Sequence, residues 1–423
     1  MPLLTLLHIA FRSLLNRRVT AILTLLSIAI SVTLFLGVEK IRAGAQAGFA
    51  STVSDTDLIV GARSGAINLL LYSVFRIGDA TNNVTWETYQ DIVARPDVAW
   101  AIPISLGDSH RGFRVVGTSG AYFEHYRTGD HLPLAMAEGR AFDGLFEAVI
   151  GADVAGALSY QIDQPIVIAH GVGAVSFANH DNLPFRVVGI LKRTGTPVDR
   201  SVHVRLEAIE AIHEGWSGGA APRGAKRLSA DEVAALDLEP ESITAFLLGL
   251  KSRIAVLRAQ REINEYRQEP LLAIIPGVAL TQLWEVVSVA ETALSGVAAF
   301  VILTGLFGLM TNILTSLNER RREMAILRSV GASVRHVFVL LVSEAVILAF
   351  VGAVLGLLLV QLVIFVAAPI VVDATGVHIG NAGLTMFDLQ TLGGVIILAG
   401  VLAGVPAWRA YRQSLADGLT VRI

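Results

Sequence analysis

One run of residues constrains the fold of this chain more than any other feature, because it is too long and too apolar for a water-soluble protein. It extends from Ala293 to Leu317, about 25 residues without a charged side chain. A helix of that length crosses a hydrocarbon core of roughly 30 Å. We therefore expect the chain to be a membrane protein.

Further apolar runs complete a scheme of four transmembrane helices. The predicted spans are 19–38, 286–317 with a stalk continuing from about residue 281, 334–367 and 389–408. Basic residues cluster at 12–18, 320–335 and 409–422, and the positive-inside rule places them in the cytoplasm. Both termini are then cytoplasmic. Residues 1–18 are predicted to form an interfacial amphipathic helix, and 409–423 a cytoplasmic tail.

A cleaved signal peptide is the alternative for the first apolar run. Its apolar stretch, 19–38, is longer than the 7–15 residues of a signal h-region, and the segment before it is too apolar. The sequence therefore favours a retained first span.

Between the first two spans, residues 39–285 contain no further spanning run. Short alternating segments predict strands at 99–106, 112–117, 243–250 and 271–275, with a charged helix at 251–266. The predicted short periplasmic loop, 368–388, carries no Lys or Arg, as expected outside the cytoplasm. The predicted fold class is an α-helical membrane protein with four transmembrane helices and a large α+β extracytoplasmic domain inserted between the first and second spans.

Composition supports this class and excludes others. The chain is 53% hydrophobic, with a mean hydropathy of +0.60, which is too apolar for an ordinary soluble protein. A net charge of −3 argues against nucleic-acid binding. There is no cysteine, so a disulfide framework, a zinc–thiolate site and a thiol nucleophile are excluded.

No residue of the external domain is predicted to be catalytic, cofactor-binding or metal-binding. Residues 107–110 read Gly-Asp-Ser-His, as in some esterases, but a strand follows them, so a polar hairpin turn is predicted. The histidines do not pair at zinc-site spacings, and we expect them on the surface. They are His110, His125, His131, His170, His180, His203 and His213.

A short charged segment, 318–333, separates the second and third spans. Residues 319–330 are predicted to form a helix that combines charges with apolar Met324 and Leu327 and ends at Gly331, a common C-terminal cap position. A short amphipathic helix held between two spans is a surface on which a soluble partner can act.

These residues also carry a family resemblance. Gly305-Leu306-Phe307-Gly308-Leu309-Met310-Thr311-Asn312, followed by the run from Glu319 to Ser333, resembles the permease signature of the FtsX-like, MacB-type family of ABC transporters. In that family the segment is the coupling helix that docks on the ATPase subunit. The resemblance implies that the coupling residues are Glu319, Arg320, Arg321, Arg322, Glu323, Met324, Leu327, Arg328 and Gly331. It also implies that 39–285 is a MacB-like periplasmic domain.

The resemblance implies a permease subunit of the inner membrane that is not itself an enzyme. No Gly-x-x-x-x-Gly-Lys-Ser/Thr motif is present, so ATP is expected on a separate ABC ATPase subunit and no cofactor on this chain. Other expected partners are a second permease copy or a related permease, membrane lipid, and a periplasmic adaptor, lipoprotein or outer-membrane factor. Nucleic acid is not expected.

The expected function is ATP-driven movement of the external domain, for export or extraction of a lipoprotein, peptide, lipid or toxic small molecule. The alternative is an ATP-driven regulator or scaffold, as in the cell-division branch that controls a wall hydrolase. A membrane-tethered enzyme is a third possibility, which hydrolase activity of residues 43–280 would reveal.

Polar and small residues inside the spans leave two further questions open. Glu344 either faces a partner or polar cavity, or stays hydrated near the cytoplasmic headgroups. The pairs Gly352/Gly356 and Gly400/Gly404 form Gly-x-x-x-Gly faces that allow helices to approach closely. Packing within the chain is the first interpretation, and a dimer seam is the second.

Overall fold

The computed structural model divides the chain into two units. It describes residues 8, 10, 12–15, 17–50, 52, 54–129, 131–170, 178–179, 183–213, 238–319, 326, 329, 331–375 and 383–416. The membrane unit comprises Met1–Gly44, Ser288–Ile370 and Gly380–Ile423, and the external unit comprises Ala45–Val287 and Val371–Ile379.

Four of the described helices are long and apolar enough to cross a membrane. The α-helices are α1 (Arg18–Ala50), α2 (Ala66–Leu70), α3 (Trp86–Val93), α4 (Ala121–His125), α5 (Ala152–Leu158), α6 (Leu206–His213), α7 (Val256–Asn264), α8 (Pro276–Glu319), α9 (Val334–Thr375) and α10 (Met386–Ala416). A π-helix spans Leu71–Phe75, and 3-10 helices span Pro197–Arg200 and Arg253–Ala255. The candidate spans lie in α1, α8, α9 and α10, so the predicted four-span fold class is confirmed.

The helices are longer than the spans that the sequence predicts. α1 continues to Ala50, beyond the predicted end at 38, and α8 begins at Pro276. The 44 residues of α8 correspond to about 66 Å, roughly twice the hydrocarbon thickness. Apolar composition marks only the part of a helix that dissolves in lipid, whereas the backbone hydrogen bonds continue into water.

The external unit is built on one large sheet. The strands are β1 (Leu58–Ala62), β2 (Val84–Thr85), β3 (Val98–Ser105), β4 (Asp108–His110), β5 (Phe113–Thr118), β6 (Arg127–Thr128), β7 (Leu132–Pro133), β8 (Met136–Gly139), β9 (Glu147–Ile150), β10 (Pro165–Ile166), β11 (Ala169–His170), β12 (Ala178–Asn179), β13 (Phe185–Leu191), β14 (Ser201–Arg205), β15 (Ser242–Ile243), β16 (Ala245–Leu250) and β17 (Leu271–Ile274). Thirteen of these described strands form the sheet, in the order β10-β13-β9-β14-β5-β3-β16-β1-β17 with the others attached beside it.

Packed side chains cover both faces of this sheet around β1, which is next to the edge strand β17. β1 pairs antiparallel with β16 and with β17, and its five residues are all buried. Ile59 packs in a cluster with Tyr72 and Phe75, whereas Val60 packs with Ile263 of α7 on the other face. Because side chains alternate along a strand, neighbouring residues of β1 pack into two different cores, one on each face of the sheet.

The Gly-Asp-Ser-His segment is not the polar turn that its sequence predicts. Asp108, Ser109 and His110 form β4, which pairs with β5 and β11, and each is at most 4% exposed. The imidazole of His110 contacts the carbonyl oxygen of Val167 at 2.6 Å and the hydroxyl of Tyr160 at 2.9 Å. These partners satisfy a polar ring inside the core, which composition alone does not reveal.

The expectation that the histidines lie on the surface is also wrong for His203. Its side chain is fully buried in β14, and its ring lies 4.9 Å from the ring of Tyr122. Nδ1 lies 3.3 Å from the carbonyl oxygen of Val149, and Nε2 is buried without a hydrogen-bond partner among the described residues. Burial, with a contribution from the Arg76 charge, lowers the pKa of His203 to about 3.

The pKa of a third histidine, His213, is raised, whereas that of His203 is lowered. His213, the last residue of α6, places Nε2 3.5 Å from the Oδ1 atom of buried Asp108. Burial lowers the pKa of His213, but the hydrogen bond and the charge of Asp108 outweigh burial and raise it. His213 therefore stabilises the domain when protonated, whereas His203 stabilises it only when neutral.

We expect the external domain to lose stability in acid through His203. Below pH of about 6.5 the unfolded chain protonates this imidazole and the folded chain does not, down to a pKa of about 3. The free energy of unfolding should fall by up to about 1.4 kcal/mol per pH unit in that window. His203→Gln should reduce this slope in pH-dependent unfolding of the full chain. His125→Gln, at a partly exposed position, is the control, and an unchanged slope in His203→Gln would contradict the assignment.

Candidate functional site: the membrane bundle and its charged segment

The segment predicted to couple to an ATPase begins where α8 ends, at Glu319. The predicted coupling residues Arg320, Arg321, Arg322, Glu323, Met324, Leu327 and Arg328 lie outside the described residues. Ile326 and Ser329 are helical and exposed, and the hydroxyl of Ser329 donates to the carbonyl oxygen of Ile326 at 2.8 Å.

The end of this segment has the backbone of a helix terminus. Gly331 has a φ of +94°, a conformation that favours glycine and is common just after a helix. The hydroxyl of Ser333 lies 2.7 Å from Nδ1 of His336, and the Ser333 N–H donates to the same nitrogen at 3.0 Å. His336 thus contacts the residue that precedes α9, in the manner of a reciprocal cap.

In the membrane unit, α9 packs at backbone distance against α1. A Cβ atom added at Gly352 would lie 2.9 Å from Ile28, and one added at Gly356 would lie 2.7 Å from the carbonyl oxygen of Ala29. The hydroxyl of Thr33 donates to the Gly356 carbonyl oxygen at 3.0 Å. These glycines therefore have a packing role within the chain.

α8 also packs closely against α1, through residues of the signature segment. A Cβ atom at Gly305 would lie 3.3 Å from the hydroxyls of Ser27 and Ser31. The amide of Asn312 donates to the Thr24 hydroxyl at 3.2 Å. α1 thus joins α8 and α9 by small residues and hydrogen bonds, which are the interactions that hold helices together in lipid.

The glycine pair in α10 has fewer contacts than the pair in α9. A Cβ atom at Gly400 would meet Val346 at 3.6 Å, an ordinary van der Waals distance, and one at Gly404 would meet none of the described residues within 4 Å. Only one of the two Gly-x-x-x-Gly faces therefore requires glycine for packing against the described residues.

Glu344 of α9 is 6% exposed and lines a small cavity in the membrane unit. The other lining residues are Ser13, Leu14, Arg17, Thr20, Ala21, Asn312, Ile313 and Leu348. Arg17, Thr20 and Asn312 contribute polar atoms to a lining that is mainly apolar. Both interpretations of Glu344, a polar cavity and hydration near the headgroups, stay predictions.

A buried ion pair connects the C-terminal half of α1 to the first turn of α10. The sequence analysis did not predict it. Nζ of Lys40 lies 2.9 Å from Oδ2 of Asp388, and both side chains are at most 3% exposed. Lys40 also donates to the carbonyl oxygen of Gly383, and Asp388 accepts from the Thr385 N–H at 2.9 Å. Asp388 lies at the end of the predicted loop 368–388, which was expected outside the cytoplasm. Lys40 stands between Glu39 and Arg42, so the sequence gives no signal that singles out this pairing.

In the external unit, aromatic residues anchor the two helices that lead to the spans. Phe49, near the end of α1, packs on Phe75 with ring centroids 4.3 Å apart. It also meets Trp284 of α8 edge-to-face at 5.6 Å. Both helices are therefore part of the domain's aromatic core. Among the described residues, no group of three or more His, Asp or Glu side chains is placed to hold a metal ion.

Comparison with known families gives this architecture an identity. Residues 21–264 match the MacB-like periplasmic core domain, which is more than half of the chain, and residues 295–415 match the FtsX-like permease C-terminal family. The chain belongs to the MacB-type family of FtsX-like permeases. The resemblance seen in the signature residues is thereby confirmed, as is the ABC transporter permease class.

Curated relatives of this permease are similar over most of its length. Macrolide export ATP-binding/permease protein MacB of Nitrobacter winogradskyi is 27% identical and is matched over 97% of this chain and 59% of its own length. MacB of Azoarcus sp. is 24% identical over 82% of this chain and 50% of its own. Pyoverdine export ATP-binding/permease protein PvdT of Pseudomonas syringae pv. tomato is 26% identical over 65% and 40%. The permease thus spans three-fifths or less of the length of these relatives.

A solved structure also matches this permease. The periplasmic region of MacB from Actinobacillus actinomycetemcomitans is 9% identical, with a TM-score of 0.35, over 55% of this chain and 94% of the other.

Gly356→Ala should destabilise the permease, because the added Cβ meets the backbone of α1 at 2.7 Å. Overpacking of this kind costs about 1–3 kcal/mol. Gly404→Ala is the matched control, since its Cβ enters open space and alanine favours the helix. We expect the melting temperature in detergent to fall for Gly356→Ala only. Equal melting of the two variants would contradict the packing role of Gly356.

The ion pair should show strong coupling between its members. Lys40→Met or Asp388→Asn alone leaves one buried charge uncompensated, which typically costs about 3–5 kcal/mol. The double variant removes both charges and should recover most of the lost thermal stability. Additive losses of melting temperature in the double variant would show that the two residues act independently.

Proposed function

We propose that this permease transmits ATP-driven motion from a separate ATPase subunit to its external domain. Membership of the family implies an ABC ATPase partner. The transmission of motion is inferred from the residues and helices of this chain. The proposed location is the inner membrane, with both termini cytoplasmic and the external unit in the periplasm, because the basic clusters flank the spans on one side.

The single observation that carries this proposal is the continuity of α8. Its 44 residues run without interruption from Pro276 to Glu319. At one end, Trp284 is part of the aromatic core of the external unit. At the other end, the helix leads directly into the charged segment. An unbroken helix can carry a displacement between its ends, and α8 contains no proline after Pro276, which is one of the usual causes of a sharp kink.

The charged segment is the proposed docking site. Met324 and Leu327 occur at helical spacing among charges, and apolar residues in a water-exposed loop would be unfavourable without a partner. We assign them as anchors in a groove of the ATPase. The residues assigned to the rim are Glu319, Arg322, Glu323 and Arg328. ATP binds to the partner, and the permease itself is not catalytic.

Export or extraction of a substrate from the outer side is the proposed outcome. Two relatives are named for macrolide export and a third for pyoverdine export. These names favour transport over the regulator or scaffold role. We also propose that two permease copies assemble around a two-fold axis.

Changing Met324 and Leu327 together to Asp should abolish co-purification of the ATPase. Two buried carboxylates without partners would make docking unfavourable. Arg321→Ala should reduce binding much less, since an exposed rim charge is worth under about 1 kcal/mol. The measurement is the ATPase-to-permease ratio after affinity purification of the full chain.

The control for this experiment is the folded state of the variant. Melting temperature and limited proteolysis of the external domain should match the unmodified chain. Normal ATPase co-purification and normal transport in the Met324/Leu327 variant would refute the coupling assignment.

A further inference from the structure

One turn of the external unit projects two aliphatic side chains into solvent. Ile254, in the 3-10 helix Arg253–Ala255, is 94% exposed, and Leu257, in the first turn of α7, is 70% exposed. Residues three apart lie on the same side of a helix, so these side chains point in one direction. We call the segment 251–258 the tip. Its aliphatic side chains are unfavourable in water unless another apolar phase receives them.

Three cations flank the two aliphatic residues of the tip in the sequence. Lys251, Arg253 and Arg258 are exposed, with the Arg253 and Arg258 side chains at 84% and 71%. Of the nearby acids, Glu262 lies 3.6 Å from Arg258 and also pairs with Arg95. The tip therefore combines an apolar centre with a cationic rim.

Within the external unit, the tip is attached to the strands that lead to the span helices. Nη2 of Arg253 lies 3.6 Å from Oδ1 of Asp55, only a few residues after α1 ends at Ala50. At the other end of α7, Oδ1 of Asn264 accepts from the N–H of Ala273 at 2.7 Å, just before α8 begins. α7 is thus attached at the end of the domain where the chain enters and leaves.

We propose that the tip docks on anionic lipid headgroups in the outer leaflet of the membrane that holds the spans. Ile254 and Leu257 enter the interface while Lys251, Arg253 and Arg258 bind phosphate groups, a combination typical of interfacial membrane anchors. This inference rests on the proposed external position of the domain. Chain connectivity makes this leaflet the lipid surface present at the highest effective concentration.

The shape of the tip favours lipid over a protein partner. Protein interfaces place apolar anchors in close-fitting pockets and seal them with a dry rim. An exposed turn with two aliphatic side chains and three neighbouring long cations suits a deformable interface, in which the aliphatic side chains insert and the cations remain at the headgroups. The anionic headgroups of the leaflet attract the cations of the tip.

The test uses the absence of cysteine from the natural chain. Ile254→Cys in the full chain is labelled with an environment-sensitive fluorophore and reconstituted in nanodiscs. The discs contain phosphatidylcholine alone or phosphatidylcholine with phosphatidylglycerol. Neutral acrylamide then measures access of water to the label, so that lipid charge does not repel the quencher. Glu124→Cys in α4, whose native side chain is 75% exposed, is the matched control.

We expect quenching at position 254 to fall several-fold in the phosphatidylglycerol discs and to remain high in phosphatidylcholine. Arg253→Glu with Arg258→Glu should restore full quenching in the charged discs, and the label at 124 should respond equally in both lipids. Leu257→Cys provides a second reporter with the same expected pattern. No ATPase is present, so failure of the coupling proposal leaves this result unaffected.

Three results would overturn the proposal. The first is equal quenching at 254 in both kinds of disc. The second is protection that appears only when separate phosphatidylglycerol vesicles are added, which would assign the tip to another bilayer. The third is protection that increases with permease concentration, which would assign it to a second copy of the chain.

Discussion

α1 meets α9 at backbone distance through Gly352 and Gly356, and the same helix also contacts α8 and α10. Lipid offers no hydrophobic driving force between helices, so association depends on close packing and hydrogen bonds. α1 supplies both: the Thr24 hydroxyl accepts from Asn312 of α8, and the Thr33 hydroxyl donates to Gly356 of α9 beside the small-residue contact. In the C-terminal half of α1, Lys40 adds the buried ion pair with Asp388 of α10.

The same helix arrangement gives the signature residues a physical role. Gly305 and Asn312 lie in the family signature, and both contact α1. A helix that transmits displacement has to be held along its length, or it would bend in the membrane instead of moving the domain. We infer that this part of the signature maintains the α1–α8 contact, while the charged run that follows it binds the ATPase.

Sequence reasoning predicted the span count, the inserted α+β domain and the family, because long apolar runs and the signature are local signals. It did not predict that α1 continues to Ala50, since hydropathy ends where lipid ends and the helix does not. Asp388 and His203 look solvent-exposed by residue type, yet both are buried. The lysine that neutralises Asp388 is 348 residues away in sequence. Pairings of that kind exist only after the chain has folded.

The central claim is that nucleotide state at the ATPase moves the external domain through α8. The most direct measurement is a spin–spin distance between labels at Glu124→Cys on the two permease copies, with the co-purified ATPase bound. The account predicts one distance distribution without nucleotide and a clearly shifted one when ATP is held unhydrolysed on the ATPase. An identical distribution in both states, in a preparation that hydrolyses ATP and transports substrate, would contradict it.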